Sequence, residues 1–280
     1  QVAPVGARAH HPAFDVTPRR TIAAYDDEAA LASFAAMVDV VTYEFENVPA
    51  VTAEFLARHK PLRPGARALS IAQDRLLEKA FLTLNRIAVA PFAAIPDPEQ
   101  LEVALREIGV PAVLKTTRMG YDGKGQIIIR DHAEAAAAFA ALSPRPLVLE
   151  AFIPFEKEIS VVVARNGAGA VAAFDAAENV HRDHILRTST VPAAITDRTA
   201  REARDIAGRI VTGLDYVGVL GVEFFVLADG LLLVNEIAPR VHNSGHWTEA
   251  VCIADQFEQH IRAVCNWPLG NPGRFADVVL

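Results

Sequence analysis

The sequence predicts a multidomain protein in which an α/β unit is followed by α+β units. Three observations carry this. The apolar run VDVVTY at 38–43 precedes a helix-compatible stretch, the pattern of a parallel strand buried on both faces. From 92 to 151, short apolar runs alternate with helix-compatible segments. After Glu150 the runs are joined by tight turns, most clearly at Asp229-Gly230, an antiparallel signature.

Composition sets the limits. With 280 residues, 51% of them hydrophobic, the chain can build more than one core. Its apolar runs fall short of a membrane span, and none follows a charged leader as in a signal peptide. A net charge of -7 argues against a broad nucleic-acid surface. Small-molecule partners are expected, with no membrane and no nucleic acid. Cys252 and Cys265 are too far apart for a C-x-x-C site and read as reduced thiols of a cytoplasmic protein. The chain opens without a complete first strand and helix and stops in a strand-like stretch at 277–280, so both termini are expected to be missing.

The elements follow in order. Residues 1–25 are loop-rich, with Pro4, Pro12 and Pro18. Asp26 and Asp27 offer an N-cap for a helix to Met37. The strand at 38–43 brings Glu44 and Glu46 to its carboxyl end, where open α/β sheets collect ligands. A helix over 51–59 completes a partial Rossmann-like unit, 1–65, with KPLRPGA at 60–66 as a linker. Asp74 caps a helix to Arg86. Strands at 92–95, 111–115, 126–130 and 147–151 and helices at 98–108 and 132–141 make a compact unit, 66–149. The unit at 150–280 has strands at 158–164, 170–174, 217–227 and 231–237 and helices at 196–212 and 247–264.

Two places carry chemistry. The first is KTTRMGYDGKGQ at 115–126, where Gly120, Gly123 and Gly125 lie among Lys115, Arg118 and Lys124. Strands flank it on both sides. It is therefore neither the G-x-x-x-x-G-K-[ST] loop nor the dinucleotide fingerprint, which opens a helix. A solvated hairpin and a glycine flap whose bare N–H groups fold over a phosphate chain both fit. The second is the hairpin at Asp229-Gly230. A two-residue type I′ turn there pairs Leu227 with Leu232, Val226 with Leu233, Phe225 with Val234, Phe224 with Asn235, and Glu223 with Glu236. Two carboxylates would then face each other at ~5 Å between Cβ atoms. A shared proton, an intervening Arg240 or a divalent cation would relieve the repulsion. Among cations, oxygen ligands favour Mg²⁺ over Zn²⁺. His242 and His246 lie four apart, but Pro239 and Gly245 argue against a zinc-binding helix. Arg240, His242, Asn243 and Ser244 read instead as a polar substrate loop. Asn179, His181, Arg182 and Asp183 form a second polar cluster, expected after a strand.

Four motifs together resemble the 5-(carboxyamino)imidazole ribonucleotide synthase family of ATP-grasp enzymes. They are VTYEFENVP at 41–49, QDR at 73–75, Lys115 with GYDGKGQ at 120–126, and NEIAPRVHNSGHW at 235–247. The resemblance implies an ATP-grasp fold behind a partial pre-ATP-grasp domain. It implies a ligase of purine biosynthesis that forms a C–N bond from ATP, bicarbonate and 5-aminoimidazole ribonucleotide through carboxyphosphate. It assigns Arg75 and Lys115 to the ATP phosphates, and Gly120, Tyr121, Asp122, Gly123, Lys124, Gly125 and Gln126 to the flap. Glu150, Ala151, Phe152 and Ile153 become the adenine linker, Glu158 the ribose ligand and His181 a further nucleotide contact. Glu223 and Glu236 become ligands of one or two Mg²⁺ ions, with Asn235 beside them. Tyr121, Asp122, Arg240, His242 and Asn243 fall on the ribonucleotide side, with Asp122 and Arg240 as catalytic groups; Glu44 is expected to face the same substrate. The resemblance also implies a cytoplasmic homodimer. Family members begin with a glycine-containing strand-turn-helix and continue past the position of residue 280, which this sequence does not match.

Overall fold

The computed structural model describes residues 3–7, 12–120 and 124–280. The first part is mostly helical. Strands β1 (Val5–Gly6) and β2 (Thr21–Ile22) pair in parallel and precede α1 (Glu28–Ala36) and α2 (Ala50–His59). Asp27 caps α1 by accepting from the Ala30 N–H. The strand expected at 38–43 is reduced to one parallel bridge, Val41 with Leu62. A buried parallel strand needs a ladder on its edges. Here Val41 meets only the 61–63 segment, through Val41 N to Pro61 O and Arg63 N to Val41 O. Helix α3 (Ala66–Ala72) follows Gly65, which makes no side-chain cap, so no cap residue announced it. Helix α4 (Arg75–Leu84) is capped by Asp74, whose carboxylate accepts from the Leu76 and Leu77 N–H groups.

A four-stranded antiparallel sheet comes next, in the order β3 (Phe92–Ile95), β6 (Leu147–Ala151), β4 (Ala112–Thr116), β5 (Gln126–Ile129). Helices α5 (Pro98–Ile108) and α6 (Ala135–Leu142) pack on it. Leu101, Leu105, Leu114, Ile129 and Leu149 form its buried core. The glycine stretch joins β4 to β5, in register Lys115 with Gln126.

The second sheet is built on β7 (Lys157–Arg165), which pairs with β8 (Val171–Ala173), β9 (Ala177–Arg182) and β11 (Gly218–Val226). Strand β10 (Ile185–Val191) pairs with β9 and, at its other edge, with β13 (Val278–Val279). Strand β12 (Leu232–Ala238) pairs with β11. The near-continuous apolar sequence of β7 is buried on both faces, as an inner strand requires. Ile159, Val161 and Val163 pack toward α4 and α7 (Asp197–Gly213), and Val162 and Ala164 pack toward Trp247.

Three expectations change here. The polar cluster at 179–183 does not follow a strand: Asn179, His181 and Arg182 lie within β9. Asp183 and His184, both at positive φ (53° and 61°), make the turn to β10, the two-residue pattern of a type I′ hairpin. The turn at Asp229-Gly230 is instead a three-residue loop, 228–230. Leu227 N donates to Leu231 O, Gly230 N to Leu227 O, and Gly230 alone takes positive φ (81°). That is the type I turn with a left-handed glycine. The longer loop shifts the register, so Val226 pairs with Leu232 and Phe224 with Val234. A β-bulge then absorbs Asn235 and restores Glu223 opposite Glu236. Finally, the helix expected at 247–264 is broken into α8 (Thr248–Val251) and α9 (Gln256–Val264). Cys252 adopts an extended conformation bridged to Arg274, and Asp255 starts α9 by accepting from the Phe257 and Glu258 N–H groups. No helix among the described residues is long and apolar enough to cross a membrane.

Candidate active site

Helix α4 aims three charged side chains at the seam between the two sheets. Arg75, Glu78 and Lys79 stand at i, i+3 and i+4, so they share one face. Arg75 Nη2 lies 3.5 Å from Glu236 Oε2. Glu78 Oε1 accepts from the Ile237 N–H at 2.5 Å. Lys79 Nζ lies 3.3 Å from Glu150 Oε2, and Lys115 Nζ reaches the same oxygen at 2.9 Å. Two cations thus share one carboxylate. Burial alone would raise the Glu150 pKa, but Lys115, Lys79 and Arg75 outweigh it and hold the carboxyl below its ordinary range. The Lys115 ammonium is pulled down by burial against the opposing pull of Glu150.

The opposed pair on the hairpin behaves differently. Burial first, and then the Glu236 charge, push Glu223 up to about 8. Burial and Glu236 likewise push Glu78 up to about 8. The three acids crowd one spot with Arg75 as the ion-paired cation of Glu236. This donor chemistry fits a hard divalent cation, which would relieve the repulsion. Among the described residues no set of three His, Cys, Asp or Glu side chains is placed to hold a metal. Two carboxylates suit Mg²⁺, which keeps waters and takes phosphate oxygens for the rest of its shell.

His242 leans on this pair from below. Its Nε2 lies 3.5 Å from Glu223 Oε1, yet burial lowers its pKa to about 4, so the contact is with a neutral ring. Ser244 Oγ meets Nδ1 at 2.8 Å and Ser160 Oγ at 2.6 Å. Gln256 accepts from the His242 N–H and donates to its carbonyl, both at 2.8 Å. Gly221 makes the seat: a Cβ there would lie 2.8 Å from the imidazole. Asn243 is exposed and turns back on the Ser244 N–H. Arg240 Nε binds Glu46 Oε2 at 2.9 Å, and Gln73 Nε2 donates to the carbonyls of Glu46 and Val48. The loop after Tyr43 is thereby tied to the loop after β12. Glu46, Gln73, Arg75, Glu78, Gly120 and Glu236 line a cleft of about 80 Å³; Glu44 is exposed and does not line it.

On the glycine stretch, Gly125 has φ 72° and a Cβ there would meet Thr116 Oγ1 at 2.7 Å, so only glycine fits. Gly125 O accepts from Thr116 N. Tyr121, Asp122 and Gly123 lie outside the described residues; Lys124 and Gln126 resume the chain into β5. In the linker after β6, the N–H groups of Ala151 and Phe152 donate to the carbonyls of Pro91 and Pro111. Ile153 is adjacent, and Phe152 is exposed. Glu158, on β7, forms a short bond with His181 of β9, which raises the imidazole pKa. Asn235 occupies the bulge and hydrogen-bonds Glu223. A wider hollow of about 360 Å³ lies elsewhere, among Asp175, Ala193, Arg201, Arg204 and Arg274. None of the residues singled out above lines it.

Sequence reasoning missed Glu78, Lys79 and the Glu150 side chain. The signal for the first two was present: DRLLEK sets three charges on one face of a helix that Asp74 caps.

Comparison with known proteins agrees with this geometry. Residues 80–257 match the model of the ATP-grasp domain, and residues 1–73 match that of the ribonucleotide synthetase preATP-grasp domain. The fold and the seam between its sheets are therefore those of an ATP-grasp protein. The N5-carboxyaminoimidazole ribonucleotide synthase of Brucella melitensis is 55% identical over 271 residues, 96% of this chain and 75% of that protein. The same enzyme of Bacillus subtilis is 43% identical over 88% of this chain, which spans 65% of its length. Among solved structures, the Staphylococcus aureus synthetase complexed with ADP superposes with a TM-score of 0.93 at 35% identity, covering 98% of this chain and 74% of that one. The Aspergillus clavatus synthase in complex with ADP and 5-aminoimidazole ribonucleotide superposes with a TM-score of 0.88 at 27% identity, covering 95% and 71%. The chain belongs to the N5-carboxyaminoimidazole ribonucleotide synthase family.

Proposed function

We propose that the protein is an ATP-dependent ligase that carboxylates 5-aminoimidazole ribonucleotide on its exocyclic amine, with bicarbonate as the carbon source, in purine biosynthesis. The observation that carries the reading is the facing Glu223–Glu236 pair, with Arg75 3.5 Å from Glu236, in a member of the family. In the reaction the γ-phosphoryl group passes from ATP to a bicarbonate oxygen, giving ADP and carboxyphosphate. The amine then attacks the carboxyl carbon, phosphate leaves with the C–O bond pair, and the amine gives up a proton.

Phosphoryl transfer of this kind needs positioning and charge neutralisation more than a strong base. Arg75 and Lys115 supply fixed positive charge to the phosphates. Glu223 and Glu236, with Asn235 adjacent, would hold one or two Mg²⁺ ions, which would supply charge neutralisation to the phosphates. Gly120 through Gln126 form the flap that excludes water from carboxyphosphate. Glu150 to Ile153 line the adenine, while Glu158 and His181 take the ribose side. Arg240, His242 and Asn243 face the ribonucleotide together with Tyr121 and Asp122. We assign Arg240 to a developing anion and Asp122 to orienting the amine. A homodimer in the cytoplasm completes the proposal. The test is ADP release that requires bicarbonate and 5-aminoimidazole ribonucleotide together. Release with formate and glycinamide ribonucleotide instead would overturn it.

A further inference from the structure

Lys79 is 1% exposed, among the most deeply buried charged side chains of the protein. Its ammonium has one acidic neighbour at contact distance, Glu150 Oε2 at 3.3 Å, and the geometry there falls short of a hydrogen bond. The second oxygen, Glu150 Oε1, is also buried without a hydrogen-bond partner. An ammonium in such a place costs several kcal/mol of desolvation unless a charge balances it. A leucine or methionine would fill the same space on α4 at no such cost. The arrangement nonetheless puts two lysines on one carboxylate oxygen, with Lys115 at 2.9 Å and the more accessible of the two.

The charge count says what this does. If Lys115 alone faced Glu150, the two would neutralise each other, and Arg75 would be left to meet the phosphates without the Lys115 charge. With Lys79 behind Glu150, one of the two positive charges is left over. Lys79 cannot use it, because it is sealed from the cleft. Lys115 can, because its side chain is 13% exposed.

We propose that Lys79 is a positioning residue: from behind, it balances Glu150 so that Lys115 is free to bind the triphosphate. This rests on the reading of Lys115 as a phosphate ligand given above. Lys79 does not touch nucleotide in this arrangement; it acts through Glu150.

The test measures Mg-ATP and AMP dissociation constants by calorimetry for Lys79→Met, Lys79→Arg, Glu150→Gln, Lys115→Met and the double variant Lys79→Met/Glu150→Gln, with melting temperatures as a check on folding. Lys79→Met should weaken Mg-ATP about tenfold, the scale of one partly screened charge at this range. AMP, which lacks the outer phosphates, should change less than about twofold. Lys79→Arg should recover most of the loss. The diagnostic result is non-additivity: once Glu150 is neutral, removing Lys79 should cost Mg-ATP affinity less than about twofold more. Equal losses for Mg-ATP and AMP, or additive losses in the double variant, would overturn the proposal. If Lys115→Met binds Mg-ATP normally, the phosphate reading of Lys115 is wrong. If Lys115→Met is weakened but Lys79→Met is not, only the role of Lys79 falls. Should Lys79→Met fail to fold, the Lys79→Arg and Glu150→Gln arms decide: Lys79→Arg near wild type with Glu150→Gln binding Mg-ATP at least as tightly supports it, and a Glu150→Gln loss confined to Mg-ATP sinks it.

Discussion

Two carboxylate sites that share Arg75 as a neighbour end with opposite electrostatics. Glu150, on β6, is almost fully buried but held below its ordinary pKa by Lys115, Lys79 and Arg75. Glu223, on β11, is pushed up to about 8, because its strongest neighbour is another acid, Glu236. Burial acts in the same direction on both. The sign of the neighbouring charge decides the outcome. At the first site two lysines meet one carboxylate. At the second two carboxylates face each other, a donor set that suits a hard divalent cation.

The largest way to break this contrast is Glu236→Gln. Removing one of the two opposed acids should lower Mg²⁺-dependent ADP formation about 10³-fold, with the circular dichroism spectrum unchanged. Turnover at the original rate would refute the metal assignment. Next in size is Gly221→Ala, which drives a methyl against His242 beneath Glu223. It should cost about 1–3 kcal/mol, read from chemical denaturation, and a stability within 0.5 kcal/mol of the parent, roughly the scatter of neutral surface changes, would show that His242 is free to move.

The third prediction uses pH. Glu223 and Glu78 both have folded pKa values of about 8, above the ordinary 4.5. Between those values the folded state holds more protons than the unfolded one. Stability should therefore be full below about 4.5 and fall as pH rises toward about 8. On the proposed metal reading Mg²⁺ would displace the Glu223 proton, so saturating Mg²⁺ should raise the melting temperature by about 5 °C at pH 8 and by much less at pH 6. Equal shifts at both values would mean that the ion binds elsewhere.

The smallest effect sharpens the contrast with a buried base that has no counter-charge. Burial pushes His260 down to about 4. The Val219 N–H donates to its Nδ1, so the ring proton sits on Nε2, 2.8 Å from Thr42 Oγ1. The folded pKa is below the unfolded one, so stability is full above about 6.5 and is lost as pH falls toward about 4. His260→Gln should shrink the drop in melting temperature between pH 7 and pH 5 by about 3 °C. An unchanged drop would place the acid sensitivity at other groups, with His242 the first alternative.

Much of this was legible in the chain. Asp27 and Asp74 cap helices where their side chains predicted, because capping is local and needs only a few residues. The facing of Glu223 and Glu236 was also readable, though by two errors that cancelled: the loop holds one residue more than a type I′ turn, and the bulge at Asn235 takes up the difference. A two-residue turn with both residues at positive φ did occur, at Asp183-His184, where no Asn-Gly or Asp-Gly pair announces it.

The sequence by itself determined the motifs, the caps, the apolar run of β7 and the presence of acids and cations near a glycine loop. Those depend on residue type and short spacing. Only the tertiary structure decided which charge meets which. Lys79 and Glu150 are 71 positions apart in the chain, and Arg75 and Glu236 are 161 apart. Their pairing follows from packing α4 across the seam of two sheets. Tertiary structure also decided that the apolar run at 38–43 forms a single bridge, since a strand exists only where a neighbouring segment pairs with its backbone.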